Sequence, residues 1–189
     1  MSYPKKTSRE TILEAAIGLI EAQGLDQLSM RTLAAQLGVT PNALYRYFAS
    51  KGELEVAVAD EAGRVLLTAM QKAVGQKVGL DAIRAVARTY LKFARQQPAL
   101  YALKMRYCKD ENEEPDSHKQ LWAAMLALVD GLQGPWQAED LAMNLWAYLH
   151  GLVELDRAEL LGGRKPEAII DIGLDLFLAG LMATQARPA

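Results

Sequence analysis

Between Ser29 and Phe48 one helix must stop and another must start, with only Val39 and Thr40 between the stop and the new first turn. Ser29 is a favourable N-cap, and Leu33, Ala34 and Leu37 give one apolar face. Gly38 accepts the left-handed conformation that ends a helix. Thr40 is then a second N-cap, and Pro41 fits the first helical position, where its missing N–H has no intrahelical partner to lose. The second helix is expected to run from Pro41 to Phe48. Leu44 and Phe48, four apart, pack inward with Leu33, Leu37 and Val39. This leaves Thr40, Pro41, Asn42, Ala43, Tyr45, Arg46 and Tyr47 for solvent or for a partner. Two short helices on a tight glycine turn, behind a third helix, are the helix-turn-helix layout. It lets the second helix enter a DNA major groove, and exposed tyrosines beside an arginine suit that surface.

The remainder reads as helical almost throughout, with no alternating strand pattern, so the expected fold is all-α with about nine helices. The first helix starts at Thr7 or Ser8, and Thr7 with Glu10 reads as a capping box. Ile12, Ala15, Ala16, Leu19 and Ile20 form its buried face, and Gly24 is a left-handed stop. Ser50 and Glu53 make another capping box, opening a helix to about residue 72. Further helices are expected over 80–96, 98–106, 117–132, 138–162 and 166–185, punctuated by Pro98, Pro135 and Pro166, with an exposed acidic loop from Asp110 to Asp116. The expected division is a head over 1–52 and a larger domain over 53–189, with 53–72 as the connecting helix.

Composition narrows the function classes. The chain has 189 residues, 51% of them hydrophobic, which is enough apolar surface for a core. The net charge of −2 is unevenly distributed: residues 1–52 hold six basic and four acidic side chains, so the head is mildly basic and the body acidic. One cysteine, Cys108, builds no disulfide framework and fits a reducing compartment. The polar N-terminus has no apolar signal segment, and Asp171 and Asp175 interrupt the apolar stretch 168–186, marking a wet face of an amphipathic helix. A cytoplasmic protein with no membrane partner is expected.

The run Thr32-Leu-Ala-Ala-Gln-Leu-Gly-Val-Thr-Pro-Asn-Ala-Leu-Tyr-Arg-Tyr-Phe-Ala-Ser-Lys-Gly-Glu-Leu54 resembles the signature of the TetR family of transcriptional regulators, and with the preceding helix the likeness covers about 8–58. The resemblance implies that Thr40, Asn42 and Tyr45 lie at a DNA interface. Tyr47 and Lys51 would reach phosphate, and Ser29 and Arg31 would face the groove edge, with Arg31 a candidate for guanine. Gly52 departs from the family's usual helix former. Further on, Asn144-Leu-Trp-Ala-Tyr-Leu-His-Gly-Leu-Val-Glu-Leu155 resembles the C-terminal subclass named for Trp-His-Gly, on Trp146, His150 and Gly151.

That segment also has a physical reading. Leu145, Tyr148, Leu149 and Leu152 form one apolar stripe, and Trp146, His150 and Val153 a second. A helix apolar on most sides must be covered on most sides. The last helix offers Ile169, Ile172, Gly173, Leu176 and Gly180, and its two glycines allow close backbone approach. A homodimer through 138–162 and 166–185 is therefore expected, pairing with twofold mates as a four-helix bundle; the alternative is an intramolecular core, and both can hold in part. A dimer also fits a palindromic double-stranded operator, since one small head makes few base contacts. Tyr101, Met105, Tyr107, Cys108, Trp122, Met125, Trp146 and His150 are the candidate lining of a pocket for a small hydrophobic effector, each equally able to be plain core. No cofactor or metal is expected, because His150 with Glu154 is a poor pair of ligands. The expected function is a ligand-released repressor. An activator uses the same head, and a cysteine enzyme on Cys108 with His118 or His150 lacks any surrounding catalytic motif.

Overall fold

Ser8, Ser29 and Ser50 each start a helix by the same bond. In the computed structural model, which describes residues 7–107, 115–132 and 136–185, the Ser8 hydroxyl accepts from Thr11 N at 3.1 Å, Ser29 from Thr32 N at 3.0 Å and Ser50 from Glu53 N at 3.0 Å. The described helices are α1 (Arg9–Gln23), α2 (Met30–Leu37), α3 (Pro41–Tyr45), α4 (Lys51–Val74), α5 (Gly79–Gln96), α6 (Pro98–Arg106), α7 (Asp116–Val129), α8 (Ala138–Arg157) and α9 (Pro166–Gln185), with a 3-10 turn at Leu25–Gln27. No strand occurs among the described residues.

Several expected boundaries move for local reasons. The cap of α1 is Ser8, not Thr7, and a backbone hydrogen bond followed by the Ser8 hydroxyl holds the Glu10 carboxyl below its ordinary range. Gly24 has φ 86° and ψ 163°, glycine territory but not the left-handed helical stop; that geometry belongs to Gly38, at φ 67° and ψ 32°. The chain leaves α3 at Tyr45 rather than Phe48. α8 ends at Arg157, short of 162, where Glu159, Gly162 and Gly163 all take positive φ. Asp171 and Asp175 do not mark a wet face alone: Asp171 accepts from Arg84 at 3.0 Å and from Arg88 at 2.9 Å, and Asp175 pairs with Arg84.

The chain forms two compact units, Met1–Arg64 with Gln97–His118, and Val65–Gln96 with Lys119–Ala189. In the first, α1 packs on α2 and α6, and α2 on α3, around Ile12, Leu19, Ile20, Leu33, Leu44, Phe48, Leu54 and Tyr101. In the second, α5 packs on α8 and α9. One face of α5 buries Ile83, Val86, Ala87, Tyr90, Leu91 and Ala94, each large side chain worth about 1.5–3 kcal/mol when removed from water. From α5, Arg84 and Arg88 reach α9, while Arg95 grips Asp156 of α8 and Glu167 of α9. Among the described residues no helix is long and apolar enough to cross a membrane.

The close approach expected of Gly173 toward a second chain is made within this one. The Tyr148 hydroxyl fills the space beside Gly173 and donates to the Ile169 carbonyl at 2.6 Å.

Candidate nucleic-acid interface

The turn between α2 and α3 is built by backbone bonds that leave its outer side bare. Gly38 N donates to Ala35 O at 3.3 Å and Val39 N to Ala34 O at 3.0 Å, closing α2 while reversing the chain. Thr40 takes the N-cap position of α3 in extended backbone, but its side chain makes no cap bond to the helix. Leu44 and Phe48 are fully buried and anchor α3 from below. Arg31, Thr40, Pro41, Asn42, Arg46 and Lys51 stand exposed, Tyr45 is 49% exposed, and Ser29 and Ala43 are half-buried. The Ser29 hydroxyl is the α2 cap and also bonds the Thr32 hydroxyl at 2.7 Å. A dense hydrophobic anchor under a polar, aromatic and cationic outer face can dock in a groove without unfolding.

Tyr47 and Arg9 fix where that face ends. The Tyr47 hydroxyl donates to the Thr7 carbonyl. Arg9 donates to the Tyr47 carbonyl at 3.1 Å, and its guanidinium sits 4.3 Å over the Phe48 ring. With Phe48 drawn into the core and the Ala49 N–H, which would carry the helix on by bonding the Tyr45 carbonyl, given to the Glu53 carboxylate instead, α3 goes no further. Glu53 completes the corner: its carboxylate accepts from Ala49 N at 2.6 Å and faces Arg9 at 3.9 Å. The sequence marks Ser50 and Glu53 as a capping box but not Arg9, because Arg9 and Tyr47 are 38 positions apart and nothing local pairs them.

The candidate effector residues divide between the two units. Tyr101 is fully enclosed in the first, with Met105 and Tyr107 half-buried beside it in sequence. Trp122, Met125, Trp146 and His150 are half-buried in the second, where the Trp146 and His150 rings stack 5.7 Å apart. Cys108 lies outside the described residues. Described residues of the second unit bound cavities. One of about 550 Å³ is bounded by the end of α4, the start of α5 and the end of α7, with Val74, Ala82, Ala127 and Leu128 among its walls. Another, of about 320 Å³, lies between Asp140 and Asn144 of α8 and Leu176 and Gly180 of α9. None of the seven described candidates is among the lining residues of either one. Among the described residues no group of three or more His, Cys, Asp or Glu side chains is placed to hold a metal ion.

Comparison with known proteins agrees with this geometry. Residues 12–58 match the tetR family of bacterial regulatory proteins, and residues 83–177 match the tetracyclin repressor-like C-terminal domain. An uncharacterized HTH-type transcriptional regulator of Mycobacterium tuberculosis is 28% identical over 173 residues, covering 89% of this chain and 79% of that protein. A protein of unknown function from Rhodococcus sp. RHA1 shares the fold with a TM-score of 0.84 at 24% identity, over 95% of this chain and 99% of that one. A TetR transcriptional regulator of Streptomyces coelicolor gives a TM-score of 0.79 at 23% identity, over 96% and 100% of the two chains.

Proposed function

We propose that this chain, which belongs to the TetR family and is a DNA-binding transcriptional regulator, acts as a dimeric repressor released from a palindromic operator by a small hydrophobic molecule. The observation that carries the reading is the outer face of α3. Thr40, Pro41, Asn42, Tyr45 and Arg46 are exposed above a core of Leu44 and Phe48, with Arg31 exposed on α2 and Lys51 at the start of α4. The Thr40 hydroxyl, which caps nothing, and Asn42 are suited to base edges, Arg31 to guanine, and Tyr45 and Lys51 to the backbone. Tyr47 contacts phosphate or backbone in this reading only when its hydroxyl proton leaves the Thr7 carbonyl. Ser29, Ala43 and Pro41 shape the approach.

The dimer reading is supported by apolar side chains left in water. Ile172 and Leu176 of α9 are 62% and 68% exposed, and Met143 and Leu155 of α8 about half exposed. A second copy covering them would form the interface over 138–162 and 166–185. The exposed face of α8 carries Met143, Ala147, Gly151 and Leu155 rather than the Trp146, His150 and Val153 stripe. Such a dimer on a palindrome occludes the DNA it covers, which is why we read a repressor. The stacked Trp146 and His150, followed by Gly151, support the Trp-His-Gly subclass and an aromatic-walled effector site. Trp122 and Met125, in the same unit, remain candidates for its lining.

The test is selection from a pool of random duplexes at two salt concentrations. A palindrome should be enriched, with affinity falling steeply in salt. A folded dimer that enriches nothing, before and after refolding to strip any bound ligand, would overturn the reading.

A further inference from the structure

Glu55, in the second turn of α4, is a carboxylate almost closed off from water, at 5% exposure. Three donors from two helices converge on it. The Lys51 ammonium lies 3.2 Å from Oε1. The Tyr107 hydroxyl donates to Oε2 at 2.8 Å, and the Arg106 guanidinium stands 3.8 Å from the same oxygen. Lys51 belongs to the first turn of α4, whereas Arg106 is the last residue of α6 and Tyr107 its C-cap. The order of the pair on α4, lysine before glutamate and at a helix N-terminus, is the less favourable one for helix stability alone. The cluster is therefore not a device for forming α4. A buried carboxylate must be neutralised by nearby donors, and with fewer donors each remaining one is held more tightly, even though the Lys51 and Arg106 side chains are themselves 44% and 64% exposed.

We propose that Glu55 is a positioning residue that sets how freely Lys51 reaches a DNA phosphate, and that the end of α6 acts on DNA affinity through it. With Tyr107 and Arg106 on Glu55, the Lys51 ammonium is loosely held and available. When they are withdrawn, Lys51 is the donor that remains of the three, and Glu55 holds it back. Met105 and Tyr107, candidate effector residues, stand at this same end of α6. A ligand that takes the Tyr107 hydroxyl or shifts the end of α6 would thus remove one phosphate contact from each head, with no change in the spacing of the recognition helices. The inference rests on Lys51 being a phosphate contact.

The experiment is a salt titration of operator affinity, on the duplex recovered by selection, for wild type, Lys51→Ala, Tyr107→Phe, Glu55→Gln and the pairwise double variants, each checked for an unchanged helical spectrum and melting. Glu55→Gln keeps the volume of the site and Tyr107→Phe removes one oxygen, so two mild variants probe the cluster independently. Lys51→Ala should lower the salt slope by about one per head. Tyr107→Phe should weaken binding on the order of threefold to tenfold and move the slope toward that of Lys51→Ala. Glu55→Gln should tighten binding, and in either the Glu55→Gln or the Lys51→Ala background Tyr107→Phe should have no further effect. If Lys51→Ala leaves the slope unchanged, or no duplex is enriched, the DNA reading of Lys51 fails and the proposal with it. If Lys51→Ala behaves as expected but Tyr107→Phe is silent, or costs the same in every background, the phosphate contact stands and the Glu55 proposal is overturned.

Discussion

The Tyr148 phenol occupies the space that a side chain on residue 173 would need: a Cβ built on Gly173 would lie 2.1 Å from the hydroxyl oxygen and 2.3 Å from Cζ. The ring cannot simply swing away, because its hydroxyl is bonded to the Ile169 carbonyl one turn earlier on the same helix. Gly173→Ala is expected to destabilise the protein by about 1–3 kcal/mol, as overpacking of a closed site does. At this size that lowers the melting temperature by roughly 2–4 °C per kcal/mol. Tyr148→Leu should recover part of the loss in the double variant. A Gly173→Ala protein that melts like wild type would show that the contact yields at no cost.

The same tyrosine makes a pH prediction. Burial, and secondarily the charge of Asp171, push the Tyr148 hydroxyl above its ordinary value of 10.0. The unfolded chain therefore loses this proton first. The stability Tyr148 contributes is fully present below pH 10.0 and is lost as pH rises through the higher folded value. Denaturant unfolding from neutral pH to above this range should fall more steeply for wild type than for Tyr148→Phe, and parallel curves would contradict the assignment.

Leu44 and Tyr45 are neighbours on α3 with opposite roles, and their variants should separate. Leu44→Ala removes a fully buried side chain and should cost about 2–5 kcal/mol of head stability. Tyr45→Ala should leave melting within about 0.5 kcal/mol of wild type while abolishing operator retention. Arg31→Ala should relax preference at one base position by about 1–3 kcal/mol. Tyr45→Ala with full operator affinity would remove α3 from the interface.

Leu176 and Ile172 provide the test of the dimer. Both are exposed, so Leu176→Glu and Ile172→Glu should leave the chain folded while shifting sedimentation equilibrium toward monomer. Operator affinity should fall with protein dilution. A wild-type chain that sediments as a monomer, or charged variants that stay dimeric, would place the contact elsewhere.

Arg95 binds Asp156 in a fork, with Nε at 2.6 Å from one oxygen and an Nη at 3.0 Å from the other. Lysine has the charge but not the fork. Arg95→Lys should therefore lose stability by up to about 1 kcal/mol in thermal melts at low salt, and less at high salt, because the pair is partly exposed. An equal loss at both salts would point to packing of the side-chain stem instead.

Where sequence foresaw the structure, the cause lay within one turn of chain. Ser29 and Gly38 bound α2 as expected because a cap and a left-handed stop are decided by their own backbone neighbours. Pro41 starts α3 for the same reason. The face of α3 followed from the four-residue spacing of Leu44 and Phe48. The misplaced ends turn on local choices that no simple rule ranks: the Ala49 N–H that would carry α3 onward goes to the Glu53 carboxylate, and α8 stops early near Glu159, whose positive φ no sequence rule anticipates.

The sequence by itself determined the helical class, the position and outer face of the recognition element, and the apolar character of the last two helices, because periodicity and capping act between residues at most a turn or two apart. Only the tertiary structure decided which partners these surfaces take. Arg9 meets Tyr47 across 38 positions, Tyr107 meets Glu55 across 52, and Arg84 meets Asp171 across 87. Each of these side chains could have faced water equally well on its own helix. What brings them together is helix packing, a property of the whole chain; only at Glu55 does burial add the cost of an unpaired carboxylate, the other two pairs being exposed or partly exposed.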